Sequence, residues 1–284
     1  MPDILITGSK GFIGSALVHR FKQMSEDYHI LEFDLDQGDI STMMPPFPHA
    51  DHVFHLAGLS FVPLSWEKTA DFYRVNVCGI VNILDYCRKN SAGLTFISAY
   101  VYGIPEYLPI DEKHPLKPNN PYMHSKVLAE SLCSFYTEQF GLNITVLRPF
   151  NIYGPGQRSE FLIPEILAQV RNPDSSEIVV NDVRPKRDFL YINDLVEALL
   201  LTFLHNDKPG IYNVGSGTSF SVGETIELIM SLTGTKKKIV STGKGRKNEI
   251  PDIRADYSRI SGQLGWVPRV SFREGLKKLI ESQQ

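Results

Sequence analysis

Short apolar runs alternate with segments of helical spacing along the first half of the chain. Each run has the composition of a strand that is buried on both faces of a parallel sheet. The runs are 4–6, 30–33, 53–56, 94–97 and 144–147. The helical segments are 15–21, 71–88 and 121–140. Strands that alternate with helices in this way predict a doubly wound parallel sheet of the α/β class.

The pattern changes after Pro149. The turn Gly154-Pro155-Gly156 interrupts the chain, and the later elements are shorter and separated by loops. Residues 1–150 are therefore predicted to form a first domain. Residues 188–214 are expected to return to it, because 211–214 is again strand-like. Residues 151–187 and 215–284 are predicted to form a smaller second domain.

A glycine-rich turn lies between the first apolar run and the first helix. Gly8, Gly11 and Gly14 allow a tight turn and a close approach of the backbone to a pyrophosphate. The first helix, which this segment opens, offers free N–H groups and the positive end of its dipole to the same ligand. A glycine trio alone also occurs in turns that only connect elements, so its position between strand and helix carries the inference.

An acidic residue ends the second strand. Asp34 lies 20 residues beyond Gly14, the offset expected for a carboxylate that binds a ribose 2′-hydroxyl. Such a carboxylate repels a 2′-phosphate, so the sequence favours NAD, and NADP is not excluded. The alternative is a solvated loop acid, since Asp36 lies in the same loop.

A YxxxK motif lies in the predicted helix 121–140. Tyr122 and Lys126 are one turn apart and share a helix face. A lysine charge, helped by an oxidised nicotinamide, is expected to lower the tyrosine pKa and favour the phenolate. That phenolate can take a proton from a hydroxyl while hydride leaves the same carbon. The alternative is an exposed pair on the helix surface.

These motifs, in this order, resemble the extended short-chain dehydrogenases/reductases of the NAD-dependent epimerase/dehydratase type. The resemblance covers nearly the whole chain and implies a Rossmann-type sheet with a smaller C-terminal α/β substrate domain. Its other landmarks are Gly38-Asp39-Ile40, His55-Leu56-Ala57-Gly58, Asn76, the run 147–156, Arg187-Asp188-Phe189 and the run 264–268.

The resemblance implies a set of cofactor residues. Asp39 and Ile40 match a pair beside the adenine, and the segment after the third run matches a motif that lines the cofactor. The full implied set is Gly8, Gly11, Phe12, Ile13, Gly14, Asp34, Asp39, Ile40, Leu56, Ala57, Gly58, Tyr122 and Lys126.

Ser98, at the end of the run 94–97, matches the family serine or threonine that hydrogen-bonds the reacting hydroxyl. The alternative is a serine that caps backbone groups. The 4,6-dehydratases of the family carry an Asp-Glu pair at the next two positions, which here are Ala99 and Tyr100. Dehydration is therefore disfavoured.

Two reactions at sugar C4 remain, a 4-epimerase and a 4-ketoreductase acting on 4-keto-6-deoxy sugars. The narrow preference is the epimerase, because the later landmarks align without gaps. A non-catalytic NAD(P)-binding regulator is disfavoured because Ser98, Tyr122 and Lys126 are all present.

The implied substrate is a nucleotide-diphosphate sugar. Arginine suits its phosphates because the planar guanidinium binds two oxygens at once. The implied substrate residues are Ser60, Ser98, Tyr100, Asn151, Arg187, Arg246 and Glu249. Phe161 stands where some uridine-sugar epimerases have asparagine, so the base stays open.

Composition narrows the remaining classes. The 284 residues carry a net charge of −3, which favours neither a nucleic-acid nor a membrane partner. No histidine or cysteine spacing is typical of a metal site, so no metal is expected. Three cysteines, without a CxxC pair, are typical of a cytoplasmic protein. Helices 71–88 and 121–140 have further apolar faces, from which a homodimer is expected.

Overall fold

The computed structural model describes residues 1–24, 28–245 and 248–283. The strands are β1 (Asp3–Thr7), β2 (His29–Phe33), β3 (His52–His55), β4 (Gly93–Ile97), β5 (Ile144–Pro149), β6 (Asn151–Tyr153), β7 (Glu177–Val180), β8 (Lys186–Arg187), β9 (Phe189–Tyr191), β10 (Ile211–Val214), β11 (Phe220–Ser221) and β12 (Lys238–Ser241). The helices are α1 (Phe12–Lys22), α2 (Val62–Glu67), α3 (Thr69–Tyr73), α4 (Gly79–Asn90), α5 (Pro121–Phe140), α6 (Leu162–Arg171), α7 (Ile192–Leu204), α8 (Val222–Thr233), α9 (Ser258–Leu264) and α10 (Phe272–Glu281).

Six parallel strands form the central sheet in the order β10-β5-β4-β3-β1-β2. From β1 the chain moves to β2 on one side and then to β3 on the other. The strand order therefore reverses between β1 and β3, which opens a crevice at their carboxyl ends. This arrangement confirms the predicted α/β fold with a doubly wound parallel sheet.

Both faces of the sheet are covered, as the apolar runs require. In β1, Ile4 and Ile6 pack into one core with helices α1 and α7, whereas Leu5 packs into a second core with α4 and α5. All three side chains are fully buried. Continuous apolar runs of this kind are what a parallel sheet between two helical layers needs.

One predicted helix is interrupted. The segment predicted as a helix over 71–88 consists of α3, a π-helical turn at Arg74–Cys78 and α4. The π turn contains Asn76, whose amide hydrogen-bonds both backbone groups of Leu59 and the Ser125 hydroxyl. A change of the hydrogen-bond pattern within a helix leaves no clear mark in the hydrophobic periodicity, so periodicity alone could not place this π turn. Such turns are common at functional sites.

The later part of the chain builds short two-stranded sheets, β7 with β12, β6 with β9 and β8 with β11. β10 pairs with β5 of the central sheet, and α7 packs against α1. The division of the chain into two domains stays a prediction. Among the described helices, none combines the length and the hydropathy that crossing a bilayer requires.

Candidate active site

The turn between β1 and α1 brings backbone atoms to the carboxyl edge of the sheet. Gly8 has φ of +69°, and a Cβ on it would lie 2.8 Å from the backbone nitrogen of Ala57. A Cβ on Gly14 would lie 2.0 Å from the carbonyl oxygen of Gly8. Gly11 caps α1 without a side-chain hydrogen bond. The turn therefore needs glycine and leaves the first N–H groups of α1 for a phosphate.

The same turn contains a buried hydroxyl, that of Ser9. The Ser9 Oγ is buried and makes no hydrogen bond with the described residues. Ser9 lies between Gly8 and Lys10, which both line the cavity described below. The glycine cradle and the free N–H groups of α1 fit the phosphates of a dinucleotide.

Asp34 faces this turn from the end of β2. Its carboxylate accepts the backbone N–H groups of Lys10 and Leu35, each at 2.8 Å. The Lys10 ammonium pairs with Asp36 at 2.6 Å in an exposed ion pair. The edge of the turn therefore holds two carboxylates and one cation.

Asp39 is already saturated by protein groups. Its carboxylate accepts the backbone N–H and hydroxyl of Ser41, at 2.9 and 2.7 Å, and the Arg74 guanidinium at 2.8 Å. These bonds hold the pKa of Asp39 at about 2, with the Ser41 hydroxyl as the largest cause. Ile40 beside it is buried and contacts Gly79 of α4.

One cavity of about 670 Å³ runs from the glycine turn to the second part of the chain. The expected residues that line it are Gly8, Gly11, Phe12, Ile13, Gly14, Leu56, Gly58, Ser60, Ser98, Tyr100, Tyr122, Lys126, Asn151, Arg187 and Glu249. The expected residues that do not line it are Asp34, Asp39, Ile40 and Ala57. The structure thus brings most of the expected residues to one cavity, with Asp34 and Asp39 outside its lining.

Tyr122 and Lys126 enter the cavity from the first turns of α5. Asn120 caps this helix by accepting the Met123 N–H at 2.9 Å, and Pro121 occupies its first turn. The Lys126 ammonium is buried and donates to the carbonyl oxygen of Ile97 at 2.9 Å. Burial lowers the pKa of Lys126 to about 8.

The pKa of Tyr122 differs from the sequence expectation. The sequence predicts that Lys126 lowers it, but burial raises the pKa of Tyr122 because a phenolate loses hydration there. The Lys126 ammonium donates one of its three N–H groups to a backbone carbonyl, and burial is the cause of the raised Tyr122 pKa.

Ser98 is buried at the end of β4, and its hydroxyl donates to the carboxylate of Glu130. Glu130 is four residues beyond Lys126 on the same face of α5. It forms a buried ion pair with Arg148 of β5, with a closest distance of 2.5 Å. Ser98 lines the cavity, and its hydroxyl is held by a polar network that lies behind the cavity wall.

At the far end of the cavity, Arg187 and Glu249 form a half-buried ion pair. Arg187 also donates to the carbonyl oxygen of Ile250 at 2.7 Å. Asn151 donates to the Asp188 carbonyl oxygen at 3.3 Å. Arg246, also expected to bind substrate phosphates, lies outside the described residues.

Tyr100 stands beside Ser98 with its ring in an aromatic cluster. Its hydroxyl donates to the carbonyl oxygen of Gly103 at 2.5 Å, and its ring centroid lies 5.4 Å from that of Phe150. Burial raises its pKa. Tyr100 therefore presents an aromatic surface, and no carboxylate follows Ser98.

Sequence reasoning missed several residues of the site. Phe161, which the sequence marked only for the asparagine that it replaces, lines the cavity, and its ring packs edge to face with that of Phe61 at 5.7 Å. Lys10 also lines it, although the sequence marked only the glycines around it. The Glu130–Arg148 pair could have been suspected from a glutamate four residues after YxxxK and an arginine in an apolar strand.

One group of potential metal ligands lies elsewhere. Donor atoms of Asp3, His49 and Asp51 lie within 4.8 Å of one another, and two of the three side chains are exposed. Asp3 starts β1 and Asp51 precedes β3, so this group sits at the amino edge of the sheet, opposite the glycine turn. It takes no part in the candidate active site.

Comparison with known proteins places this geometry in a family. A sequence model of the NAD dependent epimerase/dehydratase family matches residues 4–215. The chain is 30% identical to GDP-6-deoxy-D-mannose reductase of Pseudomonas aeruginosa over 98% of this chain and 95% of that protein.

Two solved structures show the same fold over nearly their whole length. RMD from Pseudomonas aeruginosa, complexed with NADPH, has a TM-score of 0.92 and 29% identity, covering 99% of this chain and 98% of that one. UDP-glucose 4-epimerase with UDP-glucose from Thermotoga maritima has a TM-score of 0.87 and 26% identity, covering 98% and 97%. The chain therefore belongs to the NAD dependent epimerase/dehydratase family and is an enzyme that works with a nicotinamide dinucleotide.

Proposed function

We propose that this enzyme is a nucleotide-sugar 4-epimerase that acts by reversible hydride transfer at C4. The observation that carries the proposal is the meeting of Ser98, Tyr122 and Lys126 in the cavity that begins at the glycine turn. The relatives include a nucleotide-sugar reductase and a UDP-glucose 4-epimerase, which supports this substrate class.

The protein groups have separate tasks in this reaction. When bound, an oxidised nicotinamide supplies the hydride acceptor and a positive charge. The Tyr122 oxygen removes the proton of the sugar 4-hydroxyl and later returns it. Lys126 stabilises the charged phenolate, and Ser98 hydrogen-bonds the reacting oxygen. Arg187 binds the diphosphate from the far end of the cavity, with Glu249 beside it.

The two residues after Ser98 supply no acid or base for the elimination of water. Ala99 offers no titratable group, and the Tyr100 hydroxyl donates to the Gly103 carbonyl oxygen. The phenol of Tyr100 is also held neutral by burial. These positions support C4 oxidoreduction over 4,6-dehydration.

An epimerase must keep one cofactor through both hydride transfers. The loop after β6 reaches the start of α1: Gly156 has φ of +85°, and a Cβ on it would lie 4.0 Å from the Phe12 ring. Both residues line the cavity. We propose NAD as that cofactor, because Asp34 places a carboxylate where a 2′-phosphate would have to bind.

A 4-ketoreductase for 4-keto-6-deoxy sugars is the second candidate. The buried ring of Tyr100 makes an apolar wall next to Ser98, and such a wall suits a methyl group better than a hydroxymethyl group. The high overlap with RMD points in the same direction.

We also propose a homodimer through α4 and α5. Exposed apolar side chains on α5 support it, namely Leu128, Phe135 and Phe140. Helices of this kind bury such side chains when two copies pair.

The test uses the purified protein with UDP-, dTDP- and GDP-sugars, including 4-keto-6-deoxy forms. The purified protein is first denatured, and the solution is assayed for NAD that had stayed bound to it. Interconversion of C4 epimers without net NADH supports the epimerase. Stoichiometric oxidation of NADH or NADPH by a 4-keto sugar supports the reductase instead. Absence of both reactions contradicts the proposal.

A further inference from the structure

A buried aromatic ring faces the ammonium group of Lys126. The Lys126 Nζ lies over the face of the Phe96 ring, 4.8 Å from its centroid. Phe96 is fully buried in β4, where it packs into the core shared with α4 and α5. Lys126 lines the cavity and Phe96 does not. A ring face within about 6 Å of a cation attracts it electrostatically, most strongly where water is excluded.

The same ammonium has a single hydrogen-bond acceptor among the residues that the structure describes. That acceptor is the carbonyl oxygen of Ile97, at 2.9 Å, in the residue that follows Phe96. An ammonium carries three N–H groups, and a buried charge is costly unless its surroundings compensate for lost water. Two adjacent residues of β4 therefore hold the Lys126 ammonium, one through its carbonyl oxygen and the other through its ring face.

The titratable groups of α5 and β5 around Lys126 leave room for this contribution. Glu130 and Cys133 raise the lysine pKa against the effect of burial, but Glu130 is already paired with Arg148 in a buried ion pair. Burial also raises the pKa of Tyr122, so this phenol adds no negative charge at neutral pH. The ring face adds an attraction to the ammonium that these groups do not supply.

The second ring beside Phe96 is uncharged. The His55 imidazole of β3 lies nearly parallel to the Phe96 ring, with centroids 5.9 Å apart and an angle of 20°. Its Nδ1 shares a hydrogen bond of 2.8 Å with the Thr7 hydroxyl. Burial lowers the pKa of His55 to about 3, and the Lys126 charge is a smaller cause. A neutral imidazole leaves the π electrons of Phe96 available to the ammonium.

We infer that Phe96 is a positioning residue that holds the Lys126 ammonium at the cavity by a cation–π contact, an inference that rests on the proposed C4 reaction for its effect on catalysis. Phe96 acts through Lys126, because its own side chain lies outside the cavity lining. Burial lowers the pKa of Lys126 to about 8, so a modest change in its surroundings alters the charged fraction near neutral pH.

Phe96→Leu removes the ring and keeps a buried apolar side chain. We expect the pKa of Lys126 to fall by about 0.5 to 1.5 units, because the contact stabilises only the charged form. NMR of protein with carbon-13-labelled lysine follows this titration, and the Lys126 signal is the one that Lys126→Met lacks. Phe54→Leu is the matched control, since Phe54 is equally buried but packs into the core on the other face of the sheet.

Fluorinated phenylalanines at position 96 test the contact without removing the ring. One, two or three fluorine atoms nearly keep the shape of the side chain and progressively weaken the negative potential of its face. The pKa of Lys126 should fall with each added fluorine, and the same series at position 54 should leave it unchanged. An unchanged Lys126 pKa in the fluorinated series and in Phe96→Leu would overturn the inference.

The pH profile of kcat separates positioning from a structural role. At pH 6, Phe96→Leu should match the wild type in C4 epimerisation, because Lys126 is charged in both. At pH 8 its kcat should be about 3- to 10-fold lower with KM little changed, because less of Lys126 is charged. An equal loss at both pH values, or no loss at either, would overturn the positioning role. If the wild type turns over no nucleotide sugar, the proposed function fails, and the lysine titration, which needs no substrate, still decides the contact.

Discussion

The sequence predicts some of the side chains around the cavity and does not predict others. Tyr122, Lys126 and Ser98 stand in motifs whose spacing has a chemical reason, so their meeting in one cavity was predictable. The residue types of Glu130 and Arg148 could raise the suspicion of a buried pair, but the hydrogen bond from Ser98 to Glu130 could not be predicted, because it depends on how α5 packs against the end of β4. Nor could spacing reveal that burial raises the Tyr122 pKa.

Tyr122→Phe removes the atom that carries the proton in the proposed reaction. We expect a loss of kcat of roughly 10²- to 10⁴-fold, because the group that transfers the proton is removed. Tyr73→Phe is the control, since its hydroxyl bonds the exposed His124 outside the cavity. Equal activity of the two variants in a C4 epimerisation assay would exclude Tyr122 as the acid and base.

Lys126 should leave a signature in stability against pH. Its folded pKa of about 8 lies below the ordinary value of 10.5 because of burial. Between those pH values the unfolded chain binds the extra proton, so stability from this group rises with pH. Lys126→Met is therefore expected to raise the free energy of unfolding relative to the wild type at pH 7. This gain should be about 3 kcal/mol larger at pH 7 than at pH 10.5. Urea unfolding of both proteins at the two pH values measures this difference, and a pH-independent difference would contradict the buried ammonium.

Asp34 is expected to set the choice between NAD and NADP. Asp34→Ser removes the carboxylate and leaves Lys10 nearby as a cation for a 2′-phosphate. The ratio of kcat/KM for NAD over NADP should fall by at least about 10-fold, equivalent to ~1.4 kcal/mol. Asp36→Ser removes the same charge and frees Lys10 from its ion pair but keeps the Asp34 carboxylate, so its ratio gives the part of the change that is due to loop charge. Steady-state assays with each cofactor give the ratio, and an unchanged ratio in Asp34→Ser would assign selectivity elsewhere.

At the scale of elements, hydrophobic periodicity located the strands of the central sheet and the helix α5 well. The run 94–97 lies within β4, and the segment 121–140 coincides with α5. Periodicity failed where the helix after β3 breaks into α3, a π turn and α4. The reason is tertiary, since the Asn76 amide in that turn is satisfied by Leu59 and Ser125, which no local pattern encodes.

The turn from β1 to α1 should not tolerate a side chain at Gly14. Gly14→Ala would place a Cβ 2.0 Å from the Gly8 carbonyl oxygen, so the turn must open. We expect NAD binding to weaken by at least about 100-fold, since the backbone that cradles the phosphates is displaced. Gly262→Ala in α9 is the control, because nothing lies within 4 Å of its added Cβ. Titration calorimetry with NAD compares them, and full affinity in Gly14→Ala would contradict the cradle.

At the scale of the whole molecule, the alternation of strands and helices predicted the α/β architecture because a two-faced parallel sheet requires it. The small sheets of the second part were not foreseen, since β8 and β11 have only two residues each and carry little pattern. The cavity depends on both parts, as Gly8 and Arg187 line its two ends.

The proposed homodimer is tested on α5. Leu128→Glu with Phe135→Glu places charges on exposed apolar positions and should yield a monomer in analytical ultracentrifugation. Leu204→Glu is the control: it places the same charge on an exposed apolar position of α7, outside the proposed interface, and should leave the assembly unchanged. A wild-type protein that sediments as a monomer would refute the dimer at once.

The most direct test of the central claim follows the hydrogen at C4. UDP-glucose carrying deuterium at C4 is incubated with the enzyme and NAD in ordinary water, and both sugars are analysed by mass spectrometry and NMR. Reversible hydride transfer at C4 predicts a C4 epimer that keeps its deuterium at C4, without net NADH. Loss of the deuterium to water during epimerisation, or epimerisation at another carbon, would contradict the account.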